Sequence, residues 1–484
     1  MSFLKKRIRI TIVCITVIAA VVIAAFSVNR FVMPILHTTL KPAATTEAPS
    51  SREETKTTAV QTTTKATTAA SKNETTVPVS QKETVIDIDN LTIIDLFPFS
   101  LASGDWNVRH CQGIAVDKNK GYIYYSYTTL LVKCDMDGNI IGTVTGFTGH
   151  LGDIAFNEKD RKIYCGYFSE NAKGLYIVIF DADKITKTDM SCTDKNLVRT
   201  VHVEEAWKDF RADANGNGKF DGAGIYSPDH RYGCTGIDAV EFGPSFLNPS
   251  KKNYLTVGYG ITPNAERTDN NYQVLLQYDV TDWWKKYGQP YSKTENHRIG
   301  PEKCNGKFFV YTGSTTHGTQ TIAYFKEMNI WLLNCYAGVK SEYENFTMFA
   351  VDGDVKPKIE LIKGQPTPTV GYVLSLYQDG EYDKKNGIYG WHSRYGQKGM
   401  AYLSDGLFYV VSAYKLWTGT QTAICYLNIW DPENGSPLSL AAGVGTNFSI
   451  SKKKRTETPT ENKSVKDLIP EGTEYINELL SISR

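Results

Sequence analysis

Residues 112–135 read QGIAVDKNKGYIYYSYTTLLVKCD, which is three short apolar runs separated by two polar turns. Each run is rich in aliphatic, β-branched or aromatic residues, and runs of this kind bounded by turn residues indicate β-strands. The second run ends on Tyr127 and the third ends on Asp135. The stretch therefore predicts three successive antiparallel strands joined by short turns.

The same three runs recur four more times along the chain. In each copy the second run ends on a tyrosine and the third run ends on an aspartate. The tyrosines are Tyr127, Tyr167, Tyr259, Tyr336 and Tyr414, and the aspartates are Asp135, Asp181, Asp279, Asp352 and Asp431. Five copies of one strand order are typical of a repeat architecture, in which each copy is one structural unit.

A fourth, outer strand follows most copies: IIGTV (140–144), LVRTVHV (197–203), KFFVYT (307–312) and KIELI (358–362). Four strands per copy form one blade, so the fold class is all-β and the architecture a five-bladed β-propeller, with six blades as the alternative. The last copy lacks an outer strand, and we expect the unassigned N-terminal strand TIIDLF (92–97) to complete it. The blade cadence resembles bacterial secreted YncE-like and WD40-like propellers, which implies a fold and no activity.

The ends of the chain have a different composition from this block. Four cations precede an apolar run over residues 10–28, which predicts a transmembrane signal anchor within residues 1–30, with the N-terminus in the cytoplasm. A cleaved signal peptide is the alternative. Residues 31–84 are rich in Thr, Ala and Ser and predict a disordered stalk, residues 85–450 an extracellular propeller, and residues 451–484 a polar tail with a short helix.

Composition excludes several classes of function. The net charge is +1, so no basic field favours nucleic acid, and no GxSxG, HExxH or phosphate-binding loop is present.

Eight of the nine cysteines lie in residues 85–450, and Cys134, Cys165, Cys335 and Cys425 fall inside strand-like runs without a CxxC pair. Buried free thiols are favoured over disulfides, although an oxidising exterior permits disulfides. We expect a monomer.

Each copy is entered through a short polar stretch that contains a histidine. The entries read VRHCQGI, GHLGDI, HRYGCTGI, HGTQTI and HSRYGQKGM. Because neighbouring strands are antiparallel, these entries and the terminal tyrosines should share one rim around the axis. The candidate catalytic residues are His110, His150, His230, His317, His392, Arg109, Arg231 and Arg394, and the candidate ligand-binding residues are Gln112, Gln320, Asp153, Asp238, Tyr232 and Tyr395.

These residue types favour particular ligands. Neutral imidazoles suit a transition metal, arginines suit a carboxylate, sulfate or phosphate, and tyrosines suit sugar rings. The combination resembles the propeller-type uronate lyases, which implies a metal and arginines that neutralise a sugar carboxylate while a base takes the adjacent proton.

Three interpretations follow. One is a metal-assisted lyase or hydrolase acting on a glycan, for which Asp153 and Asp238 are also candidate carboxylates of a glycosidase. Another is a non-catalytic propeller that binds carbohydrate or protein. The third is purely structural, with these side chains capping strand ends and joining the blades.

A calcium loop is predicted just before the third copy, in the sequence DANGNGKFD. Asp213, Asn215, Asn217, Lys219 and Asp221 fall at positions 1, 3, 5, 7 and 9 of an EF-hand-type loop. Position 12 is Gly224 instead of an acid, so another residue must complete the shell, and Glu204, Glu205 and Asp229 are the candidates. A plain Asn-Gly turn is the alternative.

Overall fold

The computed structural model describes residues 97–441, except 170–172, 223, 225, 252 and 433–434. These residues belong to one compact unit. The predicted membrane span, the stalk and the C-terminal tail lie outside the described residues. Within the described range, no helix has the length and apolar character needed to cross a bilayer.

Five blades of antiparallel strands confirm the five-bladed β-propeller, and strands are numbered in chain order. Blade 1 contains β2 (Cys111–Asp117), β3 (Tyr122–Tyr127), β4 (Leu130–Asp135) and β5 (Ile140–Thr145), with β9 (Met190–Ser191) at its edge. Blade 2 contains β6 (His150–Asn157), β7 (Lys162–Phe168), β8 (Leu175–Asp181) and β10 (Val198–His202), with β14 (Gln289–Pro290) at its edge.

The remaining blades vary most at their outer edges. Blade 3 contains β11 (Cys234–Gly243), β12 (Tyr254–Ile261), β13 (Tyr272–Tyr278) and β15 (Gly306–Tyr311), followed by β20 (Val370–Leu374) and β19 (Lys358–Leu361). Blade 4 contains β16 (Thr315–Phe325), β17 (Ile330–Ala337) and β18 (Met348–Asp352), and blade 5 contains β23 (Met400–Ser404), β24 (Leu407–Lys415) and β25 (Gln421–Trp430).

Short elements complete the described chain. The helices are α1 (Glu204–Phe210) and α2 (Trp283–Lys286), and single 3-10 turns lie at Ala182–Lys184 and Arg231–Gly233. A hairpin of β21 (Glu381–Asp383) and β22 (Ile388–Gly390) lies outside the blades, and β26 (Leu438–Leu440) pairs with β25.

The first strands of the blades surround the axis in the order β2, β6, β11, β16 and β23, and β23 returns to contact β2. The ring closes through β1 (Ser100–Trp106), which pairs antiparallel with β25 and supplies the missing outer strand of blade 5. Closure by an N-terminal strand is therefore confirmed. The strand itself is Ser100–Trp106 rather than the predicted segment 92–97.

One predicted outer strand belongs to a different blade. KIELI was expected in blade 4, but β19 pairs with β20, and β20 pairs in parallel with β15 of blade 3. The reason is burial, because Tyr372 and Leu374 of β20 pack into the core cluster that contains Phe308 and Val310 of β15. In blade 4, single bridges from Met348 and Val351 take the place of a regular outer strand.

Large aromatic and aliphatic side chains fill the space between blades. Three of the repeated tyrosines, Tyr127, Tyr167 and Tyr259, are buried and hydrogen-bonded. Their recurrence has a packing explanation. Cys134, Cys165, Cys335 and Cys425 are buried and free, as are most of the other cysteines described.

Candidate functional site

All five first strands begin on one face of the propeller, here called the entry face. Three predicted histidines lie there around the axis: His110 just before β2, His150 at the start of β6, and His317 near the start of β16. Asp238 of β11 and Gln320 of β16 join them. These five side chains are called the axial mouth.

A bulge in β16 sets the position of His317. The backbone of His317 has a φ of 62° and Gly318 a φ of 68°, both in the left-handed region, and the pairing of β16 with β17 shifts register here. A Cβ on Gly318 would lie 2.4 Å from the carbonyl oxygen of Tyr259 in blade 3, so glycine is required. The bulge thus holds His317 against the neighbouring blade.

Asp238 is linked to this bulge through Gln320. The side-chain amide of Gln320 donates to the carbonyl oxygen of His317 at 2.9 Å and lies 3.4 Å from Oδ2 of Asp238. Burial raises the pKa of Asp238 to about 6, although His317 and Gln320 favour its ionised form. A carboxyl that titrates near neutral pH is suited to proton transfer.

Two of the mouth histidines, His110 and His150, have lowered pKa values, which favours their neutral forms. Burial, together with the charges of Arg109 and His317, lowers the pKa of His150 to about 4. The more exposed His110 also has a lowered pKa, first because of its partial burial and then because of His150, Lys398 and Arg109. Neutral imidazoles beside two cations can donate and accept hydrogen bonds while the cations attract an anion.

An open groove of about 600 Å³ begins at His150 and runs between blades 1 and 2 on the entry face. We call it the entry groove. It is lined by Asn107, Val108, Arg109, Thr128, Thr129, Thr148, Gly149, His150, Phe168 and Ser169. Gln112 is buried beneath it and donates to Oγ1 of Thr128 at 3.4 Å. The wall combines hydroxyl groups, one guanidinium and one aromatic ring.

The entry groove continues into a smaller cavity of about 40 Å³ over blade 2. The two spaces share Thr148 and Ser169, and the cavity is walled by Tyr167, Tyr176 and Tyr291 among others. The smaller cavity is close to the size of one water molecule, so it extends the polar surface outward from the axis without holding a further ring.

Asp153 lies below the mouth, in the centre of the propeller. Its side chain is only 1% exposed, and its Oδ2 accepts the backbone N–H groups of Val240 at 3.5 Å and Ile322 at 3.3 Å. A Cβ on Gly113 would lie 2.2 Å from its Oδ1. Burial and the charge of Glu241 raise the pKa of Asp153 well above its usual range. Asp153 therefore closes the axis below the mouth and does not meet a ligand from solvent.

The opposite face has its own axial opening, a cavity of about 230 Å³. It is lined from all five first strands, by residues that include Ile114, Ile154, Glu241, Tyr324 and Ala401. Burial raises the pKa of Glu241 to about 7, opposed by the N–H of Phe242 and the charge of Lys118. Sequence reasoning missed Glu241, although a glutamate inside the apolar run DAVEF was a usable signal.

His230 is not part of the axial mouth. Its side chain is fully buried, with ring centroids 4.2 Å from Phe210 and 6.0 Å from Phe220. Burial lowers its pKa to about 4. The ring is enclosed by the insertion that precedes blade 3, so the structure places it in a local core.

The neighbours of His230 also make structural contacts. Arg231 lies 3.5 Å from Oδ1 of the buried Asp209. Tyr232 is buried, with Lys307 over its ring and Phe309 against its edge. Arg231 and Tyr232, which were predicted to meet a ligand, therefore contact the ion pair of Asp209 and Lys307 instead of the axial mouth.

The fifth entry remains on the surface. His392, Arg394 and Tyr395 are all exposed, and the ring of His392 packs 5.0 Å from Phe346. None of the three lines the entry groove.

Among the residues that the structure describes, no group of three or more His, Cys, Asp or Glu side chains is arranged to hold a metal ion. The predicted transition metal therefore stays a prediction. The loop of Asp213, Asn215, Asn217, Lys219 and Asp221 is folded into a compact turn, in which the Asp213 carboxylate accepts two backbone N–H groups.

No protein-family model matches the chain, and no curated protein does. Among solved structures, the chain is similar to the Dos1 propeller, with 13% identity, a TM-score of 0.27, and coverage of 70% of this chain and 73% of that chain. It is also similar to a protein of unknown function from Bacteroides caccae, with 10% identity, a TM-score of 0.25, and coverage of 62% and 69%. Neither similarity is used to infer a function, and the propeller fold is assigned from the strand pairing.

Proposed function

We propose that this chain is a cell-surface β-propeller that binds an anionic, carbohydrate-like ligand at the axial mouth and the entry groove. The observation that carries the proposal is the meeting of His110, His150 and His317 with the cation Arg109 beside a groove of about 600 Å³. Few places in a protein combine an open concave surface with convergent polar groups, and such places are the default binding sites.

The chemistry of the groove selects the ligand class. A guanidinium binds carboxylate or sulfate through two parallel hydrogen bonds. The hydroxyl groups of Thr128, Thr148 and Ser169 match sugar hydroxyls, and the ring of Phe168 offers a flat apolar surface for a pyranose. An acidic oligosaccharide of several rings fits this set of groups and the extended shape of the groove.

The direct test is a binding titration of the full chain with oligogalacturonate and with a neutral oligosaccharide of equal length. We expect saturable binding of the acidic oligomer and at least about tenfold weaker binding by Arg109→Gln, because one charge-assisted contact contributes about 1.5–3 kcal/mol. Lys159→Gln, which removes a charge from the exposed β6–β7 turn at the other end of the propeller, is the matched control. An equal loss of affinity in Arg109→Gln and Lys159→Gln would show that binding depends on the net charge of the protein and not on a contact with Arg109.

A second candidate, catalysis at the same site, is favoured by the pKa of Asp238, which burial raises to about 6. A carboxyl with this pKa can take a proton from carbon next to a uronate carboxylate, or serve in hydrolysis. The test is to incubate the full chain with polygalacturonate and measure unsaturated product and new reducing ends. Product formation that disappears in Asp238→Asn supports an enzyme, and binding without product supports a lectin-like protein.

The placement at the cell surface is proposed from sequence alone, from the cations at residues 5–9 and the apolar run at 10–28. Protease added to intact cells that express the full chain should remove the propeller and leave a short membrane-bound fragment. Protection of the propeller from protease in intact cells would contradict this orientation.

A further inference from the structure

The insertion between α1 and β11 has a compact polar loop, which is independent of the entry groove. The segment Asp213–Asp221 folds tightly around its first residue. Oδ1 of Asp213 accepts the N–H of Asn217 at 3.0 Å, and Oδ2 accepts the N–H of Gly218 at 2.8 Å. Gly216 and Gly218 both have positive φ values, 73° and 86°, which the turn requires.

Asp229 reaches this loop from the other end of the insertion. Its carbonyl oxygen accepts the N–H of Ala214 at 3.1 Å, and its Oδ2 accepts the N–H of Asp221. The side chain of Asp229 is fully buried, yet Oδ1 has no hydrogen-bond partner in the described structure. A buried carboxylate oxygen without a partner is costly, and a bound cation removes that cost.

We propose that the insertion binds a calcium ion and that Asp229 supplies the ligand missing at position 12. The donors are the side-chain oxygens of Asp213, Asn215, Asn217, Asp221 and Asp229 and the carbonyl oxygen of Lys219. All six are oxygens, as a hard cation prefers. Three of them are carboxylates and three are amide or carbonyl oxygens. Among the described residues no three carboxylates are gathered closely enough to hold an ion, so ion binding must draw the three aspartates together.

The other two candidates for the missing ligand are engaged elsewhere. Glu204 lies 3.4 Å from Nδ1 of His202, and Glu205 accepts from the ammonium group of Lys307 at 3.1 Å. Both glutamates belong to α1. Asp229 alone among the three candidates has a hydrogen bond to the loop among the described contacts.

Within the loop, Asp221 is held by two internal contacts that an ion replaces. The ammonium group of Lys219 lies 3.0 Å from its Oδ1, and the side-chain amide of Asn217 donates to its Oδ2. Rotation of the amide by half a turn presents oxygen in place of nitrogen. Calcium then takes the position of the lysine charge.

The ion has a structural consequence for blade 3. Phe220 of the loop stacks on His230, and His230 packs on Phe210 of α1. Calcium therefore joins the loop to the buried aromatic contact that anchors the insertion. We expect calcium to raise the thermal stability of the full chain and to slow proteolysis between residues 211 and 230.

The test is a calorimetric calcium titration of the full chain after treatment with chelator, with magnesium as the competing ion. We expect one site per chain, with a dissociation constant of about 10⁻⁴–10⁻³ M, as in extracellular calcium modules. Asp229→Asn and Asp213→Asn should each weaken binding at least about tenfold. Asp137→Asn, which changes an exposed aspartate in the β4–β5 turn, should bind as the native chain does.

Several outcomes overturn the proposal. Absence of calcium binding by the folded native chain refutes the site itself. Loss of binding in Glu204→Gln with native affinity in Asp229→Asn refutes the assignment of the sixth ligand. Should Asp229→Asn fail to fold, Asp213→Asn decides the question, because Asp213 is exposed and native affinity in that variant refutes the loop as the site.

Discussion

Blade 3 separates two sets of buried charges that are arranged in opposite ways. Behind it, Asp209 is 1% exposed and contacts the ammonium group of Lys307, the hydroxyl of Tyr259 at 2.8 Å, and Arg231. On the axis, Asp153 is equally buried and its Oδ2 accepts backbone N–H groups, while its Oδ1 has no hydrogen-bond partner among the described residues. The first carboxylate is paired with cations, whereas burial of the second favours its protonated form.

This difference indicates that the charges behind blade 3, around Asp209 and Lys307, have a structural role. Burial alone would lower the pKa of Lys307, but Asp209, Tyr232 and Glu205 outweigh it and raise that pKa above its usual range. This lysine stays charged because its partners are fixed. On the axis, Asp153 and Glu241 have raised pKa values, and the salt bridges among the described residues do not include either carboxyl. Of the two, only Glu241 lines an opening to solvent, so it is the one suited to proton transfer.

The largest expected effect follows from breaking the paired set. Lys307→Met leaves Asp209 buried without its cation, and breaking a buried pair in this way costs about 3–5 kcal/mol of unfolding free energy. Chemical denaturation measures the loss. Lys120→Met, which breaks the exposed pair with Asp183 at 2.9 Å, is the matched control and should cost less than about 1 kcal/mol. Similar losses of unfolding free energy in both variants would mean that the buried pair of Lys307 and Asp209 stabilises the fold no more than an exposed pair does.

A smaller effect is expected on the axis, and it depends on pH. Because the folded-state pKa of Asp153 is raised, the native protein binds a proton that the unfolded chain releases above the ordinary value of 3.8. This contribution to stability is complete below that pH and is lost as pH rises towards the folded-state pKa. Denaturation across pH 4–8 should therefore show a slope that Asp153→Asn reduces by up to about 1.4 kcal/mol per pH unit.

The control for this experiment is Asp137→Asn, which should leave the slope unchanged because Asp137 is exposed. Asp238 and Glu241 have the same sign, with pKa values raised to about 6 and about 7, and they keep part of the slope in the Asp153 variant. An identical slope in the native chain and in Asp153→Asn would show that Asp153 is ionised in the folded state.

The fold was predictable because its signals are local. Runs such as YIYYSY and LLVKCD identify strands without any knowledge of distant contacts, and their fixed order identifies the blades. The outer strands were less predictable, since pairing at a blade edge depends on which blade can bury the apolar side chains of the added strand. KIELI has a strand pattern, but only the burial of Tyr372 and its neighbours decides that it completes blade 3 rather than blade 4.

The site was only partly predictable for a related reason. His150 begins β6 and His317 lies within β16, so both are carried to the axis by their strands. His230 precedes β11 by a turn in which Tyr232 has a φ of 58°, and that turn directs the ring into the insertion. Equal motifs at the blade entries therefore reach different places, because the residues between histidine and strand differ in conformation.

The smallest effect concerns the charge environment of the mouth. Burial is the main cause of the low pKa of His150, about 4, and the charge of Arg109 is the next. Arg109→Gln should therefore raise the pKa of His150 by up to about one unit, measured by NMR titration of the imidazole. His297, whose pKa burial and Arg298 lower to about 4, serves as the internal control and should not change. An unchanged pKa of His150 would mean that the charge of Arg109 does not reach the mouth, and it would contradict the role of Arg109 in attracting an anion there.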